Sequence, residues 1–271
     1  MNGKLLSEIL QELRESPDFR TTIPPEWSQG RSAFGGLTAA LAVTAMKQTL
    51  GQVIPIRSLM ASFIAPLPPG EARVKCRVMR QGKNVTQLFA EVVSGESVCL
   101  QAMGVFGQDR QTLSLPQPKM PNKLGKEGVS FEAHKKRTPR FLEYFEGFWL
   151  GKGMPFAGTC DHELQIWVRH REPMTGFAEE AVVAIADVPP PVILSHYLAP
   201  PVPASSLTWS LEFTTPPGSE EIDWCLLDFE VDAASSGYTQ QSGKVFSEEG
   251  KLLALTRQTM VYFDQVSRDD S

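Results

Sequence analysis

The stretch FGGLTAALAVTAMKQTL (34–50) is apolar around most of its circumference and rich in Ala, Gly and Thr. A helix with no polar face is buried on all sides, and small side chains let other backbone approach it closely. The text downstream changes period. In ARVKCRVMR (72–80), Val74, Cys76 and Val78 alternate with Arg73, Lys75 and Arg77, as a half-buried strand requires. QGKN (81–84) reads as a turn, 85–93 as a second strand, SGE (94–96) as another turn and 98–106 as a third strand. The unit is one buried helix followed by an antiparallel meander.

Upstream, Leu5, Leu6, Ile9, Leu10 and Leu13 mark a short amphipathic helix. It lacks the basic start and unbroken apolar stretch of a secretion signal. From 108 to 140 the apolar periodicity fades around Pro116, Pro118, Pro121 and a KKR run at 135–137, which suggests a link between two modules. The expected organisation is an N-terminal module over 1–110, a linker over 111–140 and a C-terminal module over 141–271.

The grammar repeats beyond the link. FAEEAVVAIAD (177–187) reads as a helix, 207–215, 224–231 and 252–263 as strands, and SSG (235–237) and EEG (248–250) as turns. SFIAPLPPG (62–70) parallels LEFTTPPG (211–218), and QAMGVF (101–106) parallels QTMVYF (258–263), in the same order. An internal duplication is the economical reading, with Gln101 as the counterpart of Gln258.

The 271 residues carry a formal net charge of −5, which opposes a nucleic-acid partner. The most apolar run, 34–46, is too short to cross a bilayer, so no membrane insertion is expected. The four cysteines, Cys76, Cys99, Cys160 and Cys225, form no CxxC pair and read as reduced thiols of a cytoplasmic protein. No GxSxG elbow is present, and the four histidines are too scattered for a metal triad, so neither metal nor cofactor is expected.

WSQGRSAFGGLTAALAVTAM (27–46), IRSLMASFIAPLPPG (56–70), RVMRQGK (77–83), LQIWVRHREP (164–173), AIAD (184–187), SSLTWSLEF (205–213) and EEGKLLALTRQ (248–258) together resemble the double-hotdog acyl-CoA thioesterases of the bacterial thioesterase II type. The resemblance runs from about Trp27 to Phe263. It implies an α+β fold in which two modules, each a long helix wrapped by an antiparallel sheet, join their sheets edge to edge. It also implies an acyl-CoA substrate, hydrolysis by an activated water without a covalent intermediate, and a place in fatty acid metabolism. A homo-oligomer, dimer or tetramer, is compatible with it.

Transferred by position, the water-activating Asp falls on Asp187, the hydroxyl on Ser206 and the amide on Gln258. Better-known members have Thr where this chain has Ser206, and a slip of register would give that role to Ser205 or Thr208. A carboxylate takes a proton from water, while a hydroxyl and an amide orient the attacking oxygen. Gly35 and Gly36 allow backbone N–H groups at a buried helix start to approach the thioester oxygen. Arg80 and Lys83 are the candidates for the coenzyme A phosphates, against the plainer reading of a solvated sheet face. Two competing functions are a noncatalytic acyl-CoA or lipid-binding protein and a hotdog enoyl-CoA hydratase. The hydratase needs a His soon after the Asp, whereas His196 lies nine residues after Asp187 beyond Pro189, Pro190 and Pro191.

Overall fold

The computed structural model describes residues 3–121, 125–134, 138–217 and 221–263; the KKR run at 135–137 and Gly218 of the second PPG fall outside them. The elements in chain order are α1 (Leu6–Glu15), β1 (Arg20–Ile23), β2 (Ser28–Gln29), β3 (Ser32–Ala33), α2 (Gly35–Leu50), β4 (Ile56–Phe63), β5 (Gly70–Gln81), β6 (Val85–Ser94) and β7 (Ser97–Gly107). The second half holds β8 (Val129–Ser130), β9 (Phe145–Trp149), β10 (Glu163–His170), α3 (Ala178–Ala186), β11 (Ala204–Phe213), β12 (Cys225–Ser235), β13 (Tyr238–Ser247) and β14 (Leu252–Tyr262).

Twelve strands form one antiparallel sheet in the order β1-β5-β6-β7-β4-β11-β14-β13-β12-β10-β9-β8. The order is a palindrome of two modules: β1-β5-β6-β7-β4 around α2 mirrors β10-β12-β13-β14-β11 around α3. They meet where β4 pairs with β11, from Ser62 opposite Thr208 to Ser58 opposite Glu212. Each module's exposed edge is thereby satisfied by the other. The fold is a double hotdog of the α+β class, as the resemblance implies. The stretch expected to be a bare link over 111–140 already carries β8, which pairs with β9 in the second half of the sheet. Strand β8 is only two residues long, too short for a period to be visible.

Helix α2 is as buried as its composition demands. Every residue from Gly36 to Met46 is covered, and Gly51, at φ 63°, ends the helix in the left-handed conformation that glycine adopts without strain. Helix α3 is buried along its full length, Glu179 and Glu180 included. The two helices run antiparallel in contact: a Cβ on Gly36 would sit 2.7 Å from the Ala184 carbonyl oxygen, so only glycine permits the approach. Helix α1 covers the N-terminal side with Leu6, Ile9, Leu10 and Leu13. No helix among the described residues is long and apolar enough to cross a membrane.

Hydrogen bonds align the halves residue by residue. The Ile64 and Ala65 N–H groups both donate to Cys99 O, at 2.9 and 3.2 Å, and those of Thr214 and Thr215 both donate to Leu253 O, at 3.0 and 3.2 Å. Cys99 thus corresponds to Leu253, and the counterpart of Gln258 is Gly104. The expected pairing of Gln101 with Gln258 is a slip of register by an odd number of residues, which reverses the face. Gln101 lies between buried Leu100 and Ala102, points to the outer face and donates to Glu91 at 2.9 Å.

Candidate active site

Asp187 stands at the C-terminal end of α3, where the Asp187 N–H still donates to Ala184 O at 3.3 Å. The proline run behind it cannot continue a helix. Its carboxylate faces the first turn of α2 in the other module. A Cβ on Gly35 would lie 2.6 Å from Asp187 Oδ2 and 3.0 Å from the Phe63 ring, so the absent side chain lets the carboxylate and the ring of β4 approach the α2 backbone closely. The Gly36 backbone N–H donates to the carboxylate. Gln258 Nε2 donates to Asp187 Oδ1 at 2.6 Å from the middle of β14. Burial drives the Asp187 carboxyl up to about 7, against the opposing pull of these two hydrogen bonds. A carboxyl in that range changes its charge near neutral pH.

Gln258 is 2% exposed and sits on the inner face of the sheet, opposite Trp209 on one side and Gln241 on the other. Gln241, wholly buried, passes the polar chain onward: its Nε2 donates to Gln258 Oε1 at 3.3 Å, while its Oε1 accepts the Val192 N–H at 3.0 Å. Gln241 was not among the sequence candidates. The signal was present in the consecutive amides Gln240 and Gln241 of YTQQSGKVFS (238–247), since alternation forces one of two neighbours inward.

The three hydroxyl candidates separate by face. Ser206 is opposite Met260 and Thr208 opposite Thr259, with the register shifting between them, so Leu207 is an inserted bulge residue. The bulge puts Ser206 on the inner face with buried Met260 and Gln258, whereas Thr208 is exposed and Ser205 pairs with Val261 on the outer face. Among the described residues no hydrogen bond joins Ser206 to Asp187 or Gln258. Thus Asp187, Gln258, Gly35 and Gly36 are brought into contact, and Ser206 lies on their face one inward-facing register position along from Gln258. Arg80 and Lys83 are not brought to this group. Both are exposed near the β5–β6 turn, and β5 is three strands from β4 in the sheet.

Residues 23–107 match the model of the acyl-CoA thioesterase N-terminal domain, and residues 117–262 that of the acyl-CoA thioesterase C-terminal domain. The chain belongs to the acyl-CoA thioesterase family. Solved structures share its fold. A conserved protein of unknown function with a hot dog fold from Alicyclobacillus acidocaldarius superposes with a TM-score of 0.81 at 22% identity, over 91% of this chain and 93% of that one. The acyl-CoA thioesterase II TesB2 of Mycobacterium marinum gives 0.71 at 18% identity, over 94% and 98%. The tesB protein of Mycobacterium avium subs paratuberculosis gives 0.73 at 17% identity, over 96% and 100%. No curated protein sequence matches the chain. Family membership supports thioester hydrolysis in general.

Proposed function

We propose that the protein hydrolyses acyl-CoA thioesters to free coenzyme A and a carboxylic acid, with Asp187 as general base and no covalent intermediate. The observation that carries this reading is the Asp187 carboxylate, held by the Gln258 amide and the Gly36 N–H against the two glycines that open α2. A water bound to the carboxylate gives its proton to Asp187 while its oxygen forms a bond to the thioester carbon. The carbonyl oxygen gains the charge, and the first turn of α2, at the positive end of a 16-residue helix, stabilises it through N–H groups other than that of Gly36. Collapse breaks the C–S bond, and the proton on Asp187 passes to the departing thiolate. The Ser206 hydroxyl supplies a further hydrogen bond to the water.

Release of free thiol from a panel of acyl-CoAs of increasing chain length tests the activity. Turnover is expected to rise with pH through about 7, as Asp187 ionises, and to level off above it. Rapid-quench mass measurement of the intact protein during turnover is expected to show no acyl adduct. An adduct would replace the water mechanism with a nucleophilic one, and saturable acyl-CoA binding without thiol release would make the protein a noncatalytic binder.

A further inference from the structure

We propose that Gln241 is a positioning residue: it fixes which end of the Gln258 amide faces Asp187, so that the carboxylate meets an N–H donor and not a carbonyl oxygen. The inference rests on the reading of Asp187 as the base. A primary amide has an accepting end and a donating end of nearly equal size, and rotation by half a turn exchanges them. The two orientations serve opposite forms of the acid. An N–H end favours the carboxylate, which only accepts; an oxygen end favours the protonated acid, which cannot take a proton from water. Gln258 has no internal preference between them.

Gln241 breaks the tie. Its Nε2 donates to Gln258 Oε1, which leaves the Gln258 Nε2 for Asp187. Gln241 could itself turn over, but the backbone N–H of Val192 donates to its Oε1, and a backbone N–H never accepts. The polarity of the chain is therefore set by main chain and handed on through two amides. Val192 follows Asp187 closely, just beyond the proline run, so the chain Asp187, Gln258, Gln241, Val192 closes a polar ring on the segment leaving α3. Both amides are at most 2% exposed, so water does not compete for these positions.

Gly35 and Gly36 face Asp187 from α2 and Gln258 from β14, with the Phe63 ring of β4 beside Gly35, and among the described residues no ionised group acts on the carboxyl electrostatically. On α3 itself, Glu179 and Glu180 lie at the far end and are paired with Lys47.

The test is the titration of Asp187 in the full chain, followed by carboxyl carbon NMR with Asp187→Asn to identify the resonance, alongside the pH dependence of kcat. Gln241→Leu keeps the approximate volume and removes the donor; it is expected to raise the titration midpoint by about one pH unit, a tenfold change in the ionisation constant. Turnover should then fall about tenfold below the wild-type midpoint and recover at high pH, which a merely structural lesion would not do. Gln241→Glu should move the midpoint further, because its carboxylate accepts the Gln258 N–H and turns the oxygen toward Asp187. It also serves if the leucine variant fails to fold. An unchanged Asp187 midpoint in the folded variants overturns the positioning role. A shifted midpoint in a protein with no thioesterase activity, or one whose Asp187→Asn form keeps full turnover, upholds the positioning and refutes only the catalytic reading of Asp187.

Discussion

The antiparallel pair α2 and α3 has two ends, and duplication alone would make them equivalent. Phe34 O accepts from Thr38 N at 3.1 Å and Phe177 O from Ala181 N at 2.8 Å, so the helices align from their first turns and Thr44 corresponds to Asp187. At one end Asp187 faces Gly35 and Gly36. At the other, the Thr44 hydroxyl donates to Glu180 Oε1 at 3.4 Å. Lys47 Nζ bridges both glutamates, at 3.1 and 2.9 Å, and Glu179 Oε1 also accepts the Ile56 N–H at 2.9 Å. The Gln258 position is Gly104 in this half, packed under the Met46 sulfur. One end holds a single buried carboxylate among glycines and an amide; the other holds two glutamates bridged by one lysine. The difference lies in side-chain volume and pairing, since the backbones correspond.

The sharpest way to break the comparison is to remove the key side chain from each end. Asp187→Asn should lower kcat on a good acyl-CoA by at least about 100-fold, the scale of a lost general base, with little change in substrate binding. Thr44→Val, at the corresponding position, should leave kcat unaltered. Equal losses would mean that both ends contribute to turnover. Next in size, Gly35→Ala places a methyl 2.6 Å from Asp187 Oδ2 and should lower kcat by roughly 10- to 100-fold through misplacement of the reacting groups. Steady-state kinetics of the corresponding Ala178→Gly should show only wild-type turnover.

Stability tests the end that holds Lys47 and the two glutamates. Lys47→Met leaves Glu179 and Glu180 buried without their cation and should cost about 3 kcal/mol in urea unfolding at pH 8, with kcat retained at 25 °C. Burial already holds the Glu180 carboxyl above its ordinary value, while Lys47 opposes this. Without the lysine the folded state takes up a proton at still higher pH, so the deficit should shrink as the pH is lowered from 8 toward 5. The Lys47 ammonium is held above its ordinary range by the glutamates despite desolvation, so its contribution in the wild type persists across that window. The smallest effect belongs to Gln101→Ala on the outer face, within about 0.5 kcal/mol in stability and with turnover unchanged. A large loss of activity there would restore Gln101 as the functional twin of Gln258.

The local grammar of the chain was sufficient for much of the architecture. The run 34–50 could satisfy its apolar circumference only as a buried helix, and the alternation in 72–80 with turns at 81–84 and 94–96 could form only a meander; α2, β5, β6 and β7 lie where those patterns end. Asp187 was legible as a helix end before prolines, its partnership with Gln258 only through resemblance to a family.

Which face a residue occupies was decided by the tertiary structure alone. The textual match of Gln101 and Gln258 misleads because a period of two makes an odd slip invisible in sequence and decisive in space. Ser206 faces inward because of a bulge at Leu207 that no local pattern announces. Gly35 and Asp187 meet only because β4 pairs with β11 and the helices cross antiparallel, contacts between segments far apart in the chain. Periodicity encodes what a segment buries. The partner it buries against, and hence the polar ring at Asp187, is set by long-range pairing that becomes definite only when the whole sheet closes around both helices.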